Sequence, residues 1–66
     1  MIKGIQDLYI MDKNKRVLES YIRGGTIRAI IFDSTQITVF YEDECFNDQV
    51  TYIHYEDLDG CKIVID

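Results

Sequence analysis

The sequence predicts an all-β domain: a small five- to six-stranded antiparallel meander forming an open barrel or sandwich. Turn-forming clusters recur every eight to twelve residues along the chain, the spacing of short strands in a small β domain. Between those clusters, β-branched and aromatic side chains alternate in period two, as pleated, half-buried strands require. The 66 residues make one domain, residues 1–66, because a chain of this size buries only about 60% of its surface around a single small core.

The first strand is expected from Ile5 to Met11. The polar run Asp12-Lys13-Asn14-Lys15-Arg16 then turns the chain into Val17 to Ile22. Gly24-Gly25 is read as a break, since glycine takes positive φ at little steric cost. Strands Thr26 to Phe32 and Gln36 to Tyr41 follow, joined by Asp33-Ser34-Thr35. Glu42 to Gln49 reads as an acidic loop, and Val50 to Tyr55 as a further strand. The Asp59-Gly60 pair is of the kind favoured in type I′ hairpins, and Cys61 to Ile65 closes the chain.

Residues 13–23 have two readings. Val17, Leu18, Tyr21 and Ile22 also fit a helical stripe, with Asp12 as cap and Gly24 as stop. That alternative gives an α+β fold with the helix packed on the sheet. Against it, Lys13, Lys15 and Arg16 would place positive charge in the first turn, where it opposes the helix dipole. Strict alternation turns Ile27, Ala29, Ile31, Ile37, Val39 and Tyr41 towards the core. The opposite face would then still carry Ile30, Phe32, Phe40 and Val64, whereas a solvated sheet face is normally polar. Such a face needs a cover: curling of the sheet, a helix or a second copy of the chain.

Charge is divided unequally. Residues 1–33 carry six basic side chains (Lys3, Lys13, Lys15, Arg16, Arg23, Arg28) and four acidic ones (Asp7, Asp12, Glu19, Asp33), a net +2. Residues 34–66 carry Lys62 against eight carboxylates (Glu42, Asp43, Glu44, Asp48, Glu56, Asp57, Asp59, Asp66), a net −7. A field of that sign repels nucleic acid and attracts basic protein surfaces. Acidic loops that merely keep a small protein soluble give the same count.

Chemistry-bearing patterns are sparse. Cys45, His54 and Cys61 are separated by eight and six residues, without the close pairs of a zinc site. An acidic neighbourhood also raises rather than lowers a thiol pKa. Asp57-Leu58-Asp59-Gly60 lacks the third ligand of a calcium loop, because Tyr55 stands where it would be. Glu42-Asp43-Glu44 sits in a hydrated segment, poorly suited to proton transfer, and Gly24-Gly25 lacks the lysine and hydroxyl of a phosphate loop. No enzyme activity, metal or cofactor is expected. The longest apolar run, Ala29 to Phe32, is far short of a membrane span. The N-terminus carries no apolar signal core, so the chain reads as cytoplasmic.

The expectation that remains is a protein-binding surface. Tyr41, Phe46, Tyr52 and Tyr55 are interleaved with Glu42, Asp43, Glu44, Asp48, Glu56 and Asp57. Tyrosine is an effective interface residue, and aromatic groups ringed by carboxylates suit a basic groove, including one built for nucleic acid. In size and charge the chain resembles small acidic proteins of phages and mobile elements that block nucleic-acid-handling host enzymes. That likeness implies a stoichiometric inhibitor or adaptor with a basic protein partner, and a homodimer is attractive for so small a core. The competing reading is a ligand- or nucleic-acid-binding barrel using Lys13, Lys15, Arg16, Arg23 and Arg28 with nearby aromatics.

Overall fold

Three aspartate-anchored turns convert the alternating segments into hairpins, and together they set the architecture. A computed structural model describes residues 5–66; residues 1–4, on which the expectation about a signal core falls, lie outside the described residues. The strands are β1 (Gln6–Asp12), β2 (Val17–Phe32), β3 (Gln36–Glu42), β4 (Asp48–His54) and β5 (Cys61–Ile65), with a 3₁₀ turn at Tyr55–Leu58. They form one antiparallel sheet in the order β4-β3-β2-β1-β5. The all-β expectation holds, and the sheet stays open with β4 and β5 as its edges. Among the described residues no helix is long and apolar enough to cross a membrane.

The β1–β2 and β3–β4 hairpins have the same construction. Asp12 Oδ1 accepts the N–H groups of Asn14 and Arg16, each at 2.9 Å, and Asp43 Oδ1 accepts those of Cys45 and Asn47 at the same distance. The fourth residue of each turn, Lys15 or Phe46, takes a left-handed φ of 65° or 67°. At the β2–β3 turn, Asp33 Oδ1 accepts the N–H groups of Thr35 and Gln36. A short polar side chain that bonds its own following backbone is what makes aspartate a turn former.

Of the two readings of residues 13–23 the strand holds and the helical alternative fails: the segment is a hairpin leading into β2. Asp12 closes a β-turn rather than capping a helix, and Val17 and Leu18 lie exposed instead of forming a buried stripe. The expected break at Gly24-Gly25 is also corrected. The second and third sequence segments fuse into the single 16-residue strand β2. Its N-terminal part pairs with β1 and its C-terminal part with β3, so one strand serves two half-sheets.

Glycine permits the crease between them. Gly24 has φ 69° and gives its N–H to Asp7 Oδ1 at 2.7 Å. A Cβ on Gly25 would lie 2.8 Å from Ile22 Cγ2 and 2.9 Å from the Glu42 carbonyl oxygen. The pair therefore bends the strand and lets β3 approach closely. The half-sheets face each other across Leu8, Ile10 and Ile22 on one side and Ile37, Val39 and Ile53 on the other.

A bulge between Ile27 and Ala29 changes the expected phase of β2. Ile27 and Ile30 pack against the core, whereas Ala29 and Ile31 face outward. The expected Asp59-Gly60 hairpin is likewise absent. Tyr55–Leu58 forms the 3₁₀ turn that carries the chain away from β4, and β5 pairs with β1.

Candidate functional site

The register of β2, β3 and β4 builds an exposed apolar face from the bottom up. In antiparallel pairs, residues directly opposite share a face with Cβ atoms about 5 Å apart. Ala29, Phe40 and Val50 form one outward row; Ile31, Thr38 and Tyr52 form the next. Ile31 is 50%, Phe40 41%, Val50 41% and Tyr52 49% exposed. One end of this face is bounded by the Glu42–Asp48 pair and the other by the Gln36–His54 pair. Arg28 is the one lysine or arginine within Thr26–Phe32, β3 and β4. Its Nη2 lies 3.0 Å from Glu42 Oε2, so the face presents no unpaired cation.

The residues expected at a binding surface separate into distinct roles. Tyr52 and Asp48 point outward on β4 and belong to the apolar face and its rim. Glu44 is exposed in the adjoining hairpin, and Tyr55, Glu56 and Asp57 are exposed in the 3₁₀ turn at the far end of β4. Seven residues of strand put these two acidic ends about 20 Å apart. They flank the face without forming one cluster.

Tyr41, Glu42 and Asp43 are engaged within the fold. Tyr41 packs against the core, with its ring beside Gly25. Glu42 holds Arg28. Asp43 closes its hairpin and also accepts a hydrogen bond from Gln49 Nε2 at 3.0 Å. The expected acidic loop is thus a tight turn, with Glu42 and Asp48 already in strands.

Backbone N–H donation also governs the titration of the turn aspartates. The Arg16 N–H holds Asp12 below the ordinary carboxylate value, with smaller help from Asn14. The N–H groups of Thr35 and Gln36 lower Asp33, and those of Asn47 and Cys45 lower Asp43, with Gln49 assisting. Burial raises the Tyr21 phenol, and the carboxylates of Glu19 and Asp57 add to the shift.

Residues weighed for other chemistry lie apart in the fold. Cys45 occupies the β3–β4 turn, His54 the opposite end of β4 and Cys61 the start of β5. Among the described residues no three His, Cys, Asp or Glu side chains converge as a metal site. The basic residues are also divided: Arg16 Nε lies 3.3 Å from Asp12 Oδ2, and Arg28 is held by Glu42.

Ile31, Phe40 and Val50 are the residues of this face that sequence reasoning did not assign to a site. Phe40 was legible as an apolar residue on a face needing cover. Ile31 was hidden by the bulge that inverts its side. Comparison with known proteins identifies no relative: no family model, curated protein or solved structure matches the chain.

Proposed function

We propose that the chain is a protein-interaction module that docks through the outer face of β2, β3 and β4. The carrying observation is the contiguous exposed set Ile31, Phe40, Val50 and Tyr52. Contiguous apolar surface rimmed by polar groups characterises interaction sites more than the free faces of monomers. Aromatic residues supply most of the energy of such contacts because they bury large area at little rotamer cost. The carboxylates at both ends of β4 favour a partner with basic groups around an apolar patch, and they speed encounter with it. A stoichiometric inhibitor or adaptor of a nucleic-acid-handling enzyme is the role that joins this face to the chain's acidity.

The structure determines which variants test this reading. Reversing Glu42, Asp43 and Glu44 together would remove the Arg28 bridge and open the hairpin. Ile31→Ser with Phe40→Ser instead alters the face, and Glu44→Lys with Glu56→Lys alters the exposed charge. Affinity capture from host extract followed by mass spectrometry should recover a protein that both double variants bind at least about tenfold more weakly, the loss expected for interface anchors. Circular dichroism establishes that each variant is folded. Equal capture by all three forms, or retention of oligonucleotides alone, overturns the proposal.

A further inference from the structure

The two edges of the sheet differ in how they are protected. Unpaired edge strands normally carry a proline, a lysine, a bulge or a covering element, or are very short. β5 has five residues and carries Lys62. β4 has seven residues, Asp48–His54, with no proline, lysine or arginine. Its register with β3 runs unbroken through all seven pairs. It is a regular strand with one side unpaired.

The sequence of β4 is complementary to itself. Antiparallel pairing of two copies about Thr51 sets Asp48 opposite His54, Gln49 opposite Ile53, Val50 opposite Tyr52 and Thr51 opposite Thr51. A carboxylate acceptor meets an imidazole donor at both ends, and apolar groups meet beside the centre. Threonine–threonine and aliphatic–aromatic pairs are both favourable across strands. A one-residue slip would place outward residues opposite inward ones. A centre at Val50 or Tyr52 would leave two of the seven residues unpaired.

We propose that β4 pairs antiparallel with β4 of a second copy about a two-fold axis at Thr51, making one continuous ten-stranded sheet. Besides the donor–acceptor match, the outward residues beside the edge support a second copy as the occupant. Val50 of one copy would stand beside Tyr52 of the other, while Phe40 and Ile31 lie one and two strands back from the seam. A core this small gains from such association. This inference concerns the edge of the sheet and stands independently of whether its outer face binds another protein.

Site-directed disulfide formation tests the register. Paired Thr51 Cα atoms would be about 4.5–5.5 Å apart, within the disulfide range of roughly 4.4–6.8 Å. In a Cys45→Ser background, Thr51→Cys should oxidise to a covalent dimer. Gln49→Cys should not, because its two copies would be about 13 Å apart along the seam. Sedimentation should show a monomer–dimer equilibrium in unmodified protein. Asp48→Lys should weaken it between roughly twofold and thirtyfold, the effect of two cross-strand pairs, and adding His54→Asp should restore it.

Asp48 stands opposite Glu42 within its own sheet, so Asp48→Lys relieves a like-charge pair and the variant keeps its fold. Exclusively monomeric protein at millimolar concentration, no Thr51→Cys cross-link, or equal cross-linking through Gln49→Cys overturns the proposal. The variants Ile31→Ser and Phe40→Ser should leave dimerisation intact, which separates this outcome from loss of the partner described above.

Discussion

Replacing Phe46 with glycine should stabilise the protein although it removes the largest side chain of the β3–β4 turn. Phe46 has φ 67° and is 80% exposed, so its ring contributes little burial while its Cβ occupies a disfavoured backbone region. A left-handed conformation costs an L-residue about 1–2 kcal/mol. Glycine removes that cost and adds about 0.5–1 kcal/mol of chain entropy lost on folding. The net gain lies between about 0 and 1.5 kcal/mol, up to roughly 12 °C in Tm for a domain of this size.

Lys15 occupies the same slot of the β1–β2 hairpin with φ 65°, so Lys15→Gly should give a similar gain and the two should add. Urea titrations followed by circular dichroism measure both, with an unchanged slope as evidence that only stability moved. A fall in the midpoint for Phe46→Gly would refute the reasoning, because it would require the ring to be packed rather than free. The Lys15 variant separates a general error about the turn from one confined to Phe46.

Two further outcomes follow from the crease and the turns. Gly25→Ala should destabilise by about 1–3 kcal/mol, the usual cost of overpacking, because its Cβ would meet the Glu42 carbonyl oxygen at 2.9 Å; a wild-type denaturation midpoint would contradict this. Asp12, Asp33 and Asp43 have lowered pKa values relative to 3.8, so their contribution is present above that value and is lost as pH falls through the folded values. Unfolding titrations from neutral pH to about pH 2 should show a loss in this acid window that shrinks in the triple Asp→Asn variant.

Much of the fold is legible in local patterns. Asp12 and Asp33 announce two of the three turns, and the alternation through Gln36–Tyr41 correctly sets Ile37 and Val39 in the core. The fusion of β2 and its bulge are not legible in this way. They depend on how closely Gly25 approaches the Glu42 carbonyl and Tyr41, a contact between segments that periodicity does not encode. One bulge then sends Ile31 outward and Ile30 inward, reversing the expected face.

The candidate site is divided by the same logic. Tyr52 and Asp48 stand out in the sequence and lie on the exposed face. Composition does not distinguish a carboxylate offered to a partner from one that closes a turn, so in the sequence Asp43 looks like any other surface acid. The matching construction at Asp12 and Asp43 reveals its role only when their backbone hydrogen bonds are compared.

Because β2 is shared, neither half-sheet possesses an independent scaffold. Cutting the chain at the crease would leave each fragment with apolar residues whose covering layer belongs to the other. The molecule should therefore melt as one cooperative unit, with disruption on one side of Gly24-Gly25 felt on the other. Its single long strand acts as a spine through which the stability of both halves is held in common.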